Sequence, residues 1–215
     1  MEEFGDAISS EEETVTAQKV LKTLKDIWLN ERNCPELLQH QTDVVDCMLD
    51  QIHQMEDNLC KLKKNDFRVV IHRQELDRIR YIIADYLRVR INKIEQYAIH
   101  ILEQEGKRSP EDAVLSPAEL KFAREFVANM ESHFTLVALR HMPSNFQHFD
   151  KDKLTIAPNI SSHVFLRAKR NITGVVIEGD SENRDEEVDL DENSQHIMQY
   201  KPIAEYVKSG AVQLI

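Results

Sequence analysis

The sequence contains few of the residues that most often interrupt regular structure. Of 215 residues, only 5 are glycine and 6 are proline, and this glycine content is roughly a third of ordinary usage. So few turn-forming residues argue against an all-β sandwich and against an enzyme built on glycine-rich phosphate loops. The GxGxxG, GxSxG and HExxH motifs are also missing. We therefore expect a largely helical protein that is not an enzyme.

Cysteine is also scarce. The three cysteines, Cys34, Cys47 and Cys60, are odd in number, lie thirteen residues apart and form no CxxC pair. This pattern supports neither a disulfide framework nor a zinc site, and the nine histidines lack the spacing of a metal pair. We expect reduced thiols, no bound metal and no cofactor.

Long hydrophobic runs are absent as well. The longest stretch without a charged residue has 13 residues, between Lys153 and Arg167, which is too short and too polar to cross a bilayer. The first residues, MEEFGD, are acidic and do not resemble a secretory signal. These features predict a soluble intracellular protein that does not bind membranes.

Negative charge is concentrated in two segments. The net charge is −11, and residues 1–13 contain six acidic residues and no basic one. Residues 180–192 contain eight acidic residues and one arginine. We interpret both as solvated segments, with docking of a basic partner as the alternative. Neither segment suits DNA binding, because phosphates would repel them.

The remaining pattern predicts an α+β chain. Apolar residues recur at helical spacing in four segments, and Ser116-Pro117-Ala118-Glu119 has the form of a capping box at the start of the fourth. Short β-type runs follow after residue 162. We therefore predict an all-α domain of four helices, one of them very long, and then a small β-rich domain. The predicted divisions are an acidic flexible tail (1–13), a helical domain (14–141), a linker (142–161) and a β-rich domain (162–215).

The longest predicted helix, over residues 67–105, contains no glycine or proline and has an unusually wide apolar stripe. It would span roughly 55 Å, more than three shorter helices of the same chain can cover. The favoured interpretation is a protein interface, and the alternative is a bent or broken helix that folds on itself. The predicted interface residues are Ile79, Ile82, Ile83, Tyr86, Leu87, Ile94 and Tyr97.

Basic residues are enriched along the same helix. Arg73, Arg80 and Arg88 lie at seven- and eight-residue steps and share one side. We interpret the row first as salt bridges to neighbouring helices and second as contacts to partner carboxylates, for which Arg88 is the candidate. We do not expect direct DNA contact, because the row lacks aromatic stacking partners in an accessible loop.

The C-terminus is apolar, whereas chain ends usually carry few apolar residues unless they are held. Its alternation predicts a final strand with Val212 and Leu214 on one face and Ile215 on the other. An exposed strand of this kind would invite aggregation, so we expect it to pair within the β-rich domain or against a partner. Val212, Leu214 and Ile215 are therefore also candidate interface residues.

Six segments of the sequence together match the pattern of a known family. They are WLNERNCPELL (28–38), ELDRIRYIIADYLRVRINKIEQY (75–97), LSPAELKFAREFVANMESHF (115–134), ALRHMP (138–143), HVFLRAK (163–169) and GAVQLI (210–215). On these segments the chain resembles the Sld-five subunit of the eukaryotic GINS complex, and the resemblance extends from about Val20 to Ile215.

This resemblance implies a fold and a function. It implies a helical domain followed by a small β-rich domain, within a heterotetramer that includes three sister subunits. It further implies a nuclear, non-catalytic scaffold that joins the Mcm helicase ring and a RecJ-like Cdc partner in the active replicative helicase. The alternatives are a helical tether or signalling scaffold unrelated to DNA and an unrecognised enzyme.

Overall fold

The first two helices pack against each other at the start of the described chain. The computed structural model describes residues 17–61, 67–109, 112–177 and 186–215. Helix α1 spans Ala17–Asn33 and helix α2 spans Thr42–Cys60. Helix α1 ends shortly before Pro35, as the sequence predicts, because proline cannot continue a helix. The predicted acidic tail, residues 1–13, lies outside the described residues.

Helix α3 spans Phe67–Glu105 and is the longest element, with the bounds that the sequence predicts. Its backbone leaves helical geometry at Tyr97 (φ −116°, ψ 22°), which divides it into a long first part and a short second part. The first part packs against α1 and α2, and the second part packs against the next helix. Because of the bend, the other helices of this chain cover the apolar stripe of α3 on both sides of Tyr97.

Helix α4 spans Pro117–Val137 and begins with the predicted capping box. The Glu119 backbone N–H donates to Ser116 Oγ (3.3 Å), and the Ser116 N–H donates to Glu119 Oε2 (2.9 Å). The apolar pattern of the sequence predicts that this helix runs to about Arg140, but it ends at Val137, because the backbone of Ala138 turns away from helical geometry (φ −120°, ψ −60°).

The segment after α4, which the sequence predicts to be an irregular linker, contains short helical turns. Two 3-10 turns form at Leu139–His141 and Ser144–Phe146, and a four-residue helix α5 spans Lys151–Leu154. In the second turn, the Pro143 carbonyl accepts the Phe146 N–H (2.8 Å). Pro143 itself is extended (φ −56°, ψ 150°) and immediately precedes the turn.

The C-terminal part contains two small antiparallel sheets. Strand β1 (His163–Ala168) lies between β4 (Gln195–Gln199) and β5 (Val212–Leu214), while β2 (Ile172–Ile177) pairs with β3 (Glu186–Leu190). A 3-10 turn (Lys201–Ile203) and the short helix α6 (Ala204–Lys208) precede β5. Gly210 at φ +72° then allows the chain to reverse into β5. The predicted α+β fold class is confirmed.

Candidate interaction surfaces

A buried ionic cluster around Arg90 fixes the helices relative to one another. The Arg90 side chain is 1% exposed, yet all its nitrogen atoms have acceptors. Nε and Nη2 donate to the Glu119 carboxylate (2.7 and 3.0 Å), and Nη1 donates to Glu31 Oε2 (3.1 Å). The carbonyls of Leu38 and Val114 accept two further bonds (2.7 and 3.0 Å). One side chain therefore joins α1, α3, α4 and two connecting segments.

The electrostatics of this cluster favour the charged forms. Burial opposes ionisation of Glu119, but the hydrogen bonds from Arg90 and Ser116 lower the pKa of its carboxyl group. Burial likewise opposes the charge of Arg90, and the bond to Glu119 raises the pKa of the guanidinium. Lys93 adds a second cation, because its Nζ donates to Glu31 Oε1 (2.7 Å). The cluster is a satisfied structural network rather than a site with a free reactive group.

The basic residues along α3 have different surroundings, which the sequence alone does not separate. Arg90 and Lys93 are in the buried cluster, and Arg80 contacts Glu56 and Asp77. These contacts agree with salt bridges to neighbouring elements as the main interpretation. The Arg88 side chain is 67% exposed and lies 3.9 Å from Asp85. It remains the candidate for partner carboxylates.

Most of the predicted interface side chains on α3 lie in the chain's own core, which differs from the expectation of an uncovered stripe. The physical reason is that α1 and α2 cover the first part of α3, while α4 and Leu37 cover the part around the bend. Side chains that this chain already buries are not available to a partner in this conformation. The residues concerned are Ile79, Ile82, Ile83, Tyr86 and Ile94, which are buried, and Tyr97, which is half-buried.

Leu87 is the predicted apolar residue on α3 that stays exposed. Its side chain is 41% exposed, and Ile91, one helical turn further on, is 42% exposed. Residues four apart are neighbours on a helix surface, so the two form one small apolar patch. We call Leu87 and Ile91 the α3 patch. It lies close in sequence to the exposed Arg88.

A second exposed apolar region lies where α4 ends, and the sequence analysis does not single it out. Phe134 packs against Phe149 at 6.1 Å between ring centroids but stays 45% exposed. The sequence contains a pattern that could have predicted this region, since apolar residues continue past the last regular turn of α4 and into a proline-containing segment. The large exposed residues of this region are Phe134, Leu136, Val137, Met142 and Phe146.

The C-terminal strand has the predicted sidedness. Strand β5 pairs with β1, Val212 and Leu214 are fully buried, and Ile215 is 39% exposed. On the outward face of the same sheet, Phe165 lies directly opposite Ile197, which is 70% exposed. Ile215 lies beside this pair, and its N–H donates to the Phe165 carbonyl (3.0 Å). Three apolar side chains therefore lie close together on the surface of the sheet.

Metal-ligand clusters and membrane-spanning helices are both absent from the part of the chain that the structure describes. No group of three histidine, cysteine, aspartate or glutamate side chains there is arranged to hold a metal ion. None of the helices within the described ranges is long and apolar enough to span a membrane.

The architecture defines a class of protein: a helical bundle held by a buried ionic cluster, followed by a small sheet, with apolar patches on both. Comparison with known families agrees. Residues 28–138 match the GINS complex protein helical bundle domain, and residues 158–215 match the C-terminus of DNA replication complex GINS protein SLD5. The chain belongs to the SLD5 family of GINS proteins.

Individual relatives match along nearly the whole length of the chain. The DNA replication complex GINS proteins SLD5 of Rattus norvegicus and Homo sapiens are each 45% identical over 208 residues, which covers 96% of this chain and 93% of theirs. The SLD5 protein of Arabidopsis thaliana is 28% identical over 218 residues, covering 96% of both chains.

Proposed function

We propose that this chain is a non-catalytic scaffold subunit of a heterotetrameric GINS complex, bound to three sister subunits. The observation that carries the proposal is the match to SLD5 relatives over 96% of the chain. The exposed apolar residues give it physical support, because contiguous apolar surface on a soluble protein commonly marks a protein interface.

The α3 patch and the end of α4 are the surfaces that we assign to the sister subunits. Leu87 and Ile91 are large apolar side chains, about two-fifths exposed, on a helix whose opposite side packs in the helical core. Arg88 between them can pair with a partner carboxylate at the rim of such a contact. Ile79, Ile82, Ile83, Tyr86, Ile94 and Tyr97 then act indirectly, by holding α3 in place.

Through the assembled complex, we infer a nuclear role in replication initiation and elongation. The complex would join the Mcm helicase ring and the RecJ-like Cdc partner in the active helicase. We propose that this chain makes no direct contact with DNA, because its net charge of −11 opposes phosphate binding.

We also propose that the chain is organised as a helical domain (14–141) and a β-rich domain (162–215), joined by residues 142–161. The separate apolar cores of the two parts support this division. The segment between them has no large buried side chain among its described residues, as expected where one core ends before the next begins.

Co-expression with the three sister subunits tests the proposal. We expect native mass spectrometry to find one stable 1:1:1:1 complex, and a Leu87→Ser/Ile91→Ser double variant to recover roughly tenfold less of it. The matched control is Arg78→Ser, which alters an α3 side chain that is 54% exposed and outside the patch. It should assemble normally.

Two results would contradict the proposal. If the wild-type chain forms no complex with the sisters and is instead recovered with membranes or signalling proteins, it is a tether of another kind. If the double variant assembles as well as Arg78→Ser, the α3 patch is not the contact surface.

A further inference from the structure

The C-terminal sheet is attached to α1 by a small set of polar contacts. Asp26 accepts two bonds through its carboxylate, from Lys169 Nζ (2.7 Å) and from Gln213 Nε2 (2.8 Å). One turn further along α1, Asn30 Oδ1 accepts the backbone N–H of Leu214 (2.8 Å). Asn30 therefore occupies the outer edge of β5, the edge that β1 does not pair.

The turn after α1 makes the second half of this attachment. Cys34 is 3% exposed and packs in the core of the C-terminal part rather than in the helical core. Glu36 Oε1 accepts bonds from Tyr200 Oη (2.7 Å) and from Lys208 Nζ (2.9 Å). Burial, with the neighbouring Cys34 and Glu36, raises the pKa of Tyr200, so its hydroxyl stays protonated and donates.

The charged contacts of this attachment contribute little to its stability. Its charged side chains are partly open to solvent, with Asp26 22% and Lys169 34% exposed, and exposed ion pairs contribute little stability. A groove of about 560 Å³ runs along the junction and is lined by residues of both parts, among them Asp26, Asn30, Lys169 and Lys208. On the helical side, Cys34 and Leu38 are the apolar residues that contact the C-terminal core among the described residues. Small polar interfaces between parts of a chain generally permit relative motion.

We propose that this junction is a releasable latch, which sets the orientation of the C-terminal part on α1 and opens without unfolding either core. Opening frees the backbone N–H of Leu214, which the closed latch pairs with Asn30. It also exposes the Cys34 thiol, which the closed latch covers. The proposal concerns contacts within this chain and does not depend on which partners the helical patches bind.

The Cys34 thiol provides a direct measure of opening. Cys47 and Cys60 are exposed and can both be replaced by serine, which leaves one buried thiol in the full-length chain. Burial raises the pKa of Cys34 to about 11, so in the closed state the thiol is covered and protonated at pH 7. The rate at which Cys34 reacts with N-ethylmaleimide, followed by intact mass spectrometry, then measures how often the latch opens. Trp28, the single tryptophan, reports the helical part by fluorescence.

A charge exchange across the latch tests the proposal. Asp26→Lys and Lys169→Glu should each increase the labelling rate of Cys34 roughly tenfold, because each removes a charge-assisted bond and creates a like-charge contact. The double variant restores opposite charges, and it should recover most of the protection. Asp77→Lys is the matched control, since Asp77 contacts Arg80 within α3, away from the junction, and should leave the rate unchanged.

The outcomes separate a latch from a fixed junction. Faster labelling with unchanged Trp28 unfolding supports the latch, and so does recovery in the double variant. Labelling that stays at the wild-type rate in both single variants overturns it. So does labelling that rises only in proportion to a loss of global stability, because Cys34 then reacts through complete unfolding.

Discussion

Two polar clusters are built on the same helix, and they differ in burial. Glu31 on α1 is 1% exposed and belongs to the Arg90 cluster, where the Arg90 side chain is equally buried. Asp26, little more than one turn earlier, belongs to the junction with the C-terminal sheet, where its side chain is 22% exposed. Ion pairs and hydrogen bonds therefore serve two purposes in this chain. The buried network, in which all bonds are made, fixes the helical core. The partly exposed network holds two parts of the chain together reversibly.

This comparison has a mechanical consequence. The Arg90 cluster cannot open locally, because separating Arg90 from Glu119 or Glu31 would leave a buried charge unpaired. The junction can open, because water replaces each lost bond at little cost. We therefore expect the helices to move as one body and the C-terminal part to be the mobile element of this chain.

The largest predicted effect concerns the C-terminal strand, and it tests whether the two parts are separate folding units. Deleting residues 211–215 removes two fully buried apolar side chains, Val212 and Leu214, together with Ala211. The loss is about 4–8 kcal/mol, comparable to the whole stability of a small domain. Limited proteolysis should then cut within 142–161 and digest the C-terminal part, while the Trp28 unfolding transition persists.

Deletion of Ile215 alone is the control for this prediction. Its side chain is 39% exposed, so the loss should be about 1 kcal/mol, mainly from its backbone bond to Phe165. If deleting residues 211–215 also abolishes the Trp28 transition, the two parts unfold together and the comparison fails.

The second prediction tests the Arg90 cluster. Arg90→Leu leaves Glu31 and Glu119 with fewer partners in a buried site, and the free energy of unfolding should fall by about 3–5 kcal/mol. Urea denaturation followed by Trp28 fluorescence measures this loss. Arg88→Leu is the matched control, because that side chain is 67% exposed and its change should stay within about 0.5 kcal/mol. Equal effects of the two variants would show that the cluster does not hold the core.

Local patterns carried the sequence predictions that the structure confirms. The bounds of α3 follow from a stretch without glycine or proline, and the capping box at Ser116 follows from spacing within four residues. The α+β fold class follows from the change from helical spacing to short β-type runs. Each of these features depends on residues close together in the chain.

Features that depend on distant residues were not predicted. Arg90 meets Glu31 and Glu119 across 59 and 29 residues, and nothing in the local sequence separates it from the exposed Arg88. A bent helix was the stated alternative for α3, but the position of the bend, Tyr97, has no proline or glycine to mark it. Because of that bend, α1 and α2 cover one part of α3 and α4 covers the other. Periodicity alone therefore could not distinguish the buried apolar residues of α3 from the exposed α3 patch.

The smallest predicted effect is a pH dependence of the buried Arg90 cluster. The pKa of Glu119 is lowered in the folded chain, so its contribution to stability is present above its ordinary pKa of about 4.5 and is lost as the pH falls through the lower folded value. Glu119→Gln removes this contribution, and at pH 7 it should destabilise the chain by about 1.5 kcal/mol. The difference in free energy of unfolding between the two proteins should stay constant from pH 7 to about pH 5 and shrink below pH 4.5.

Urea denaturation of both proteins across this range measures this difference. Subtracting the free energy of unfolding of one protein from that of the other cancels the titration of the other carboxylates. A difference that does not change between pH 7 and pH 3 would mean that ionised Glu119 does not stabilise the folded cluster, and that the buried network is held by its neutral bonds alone.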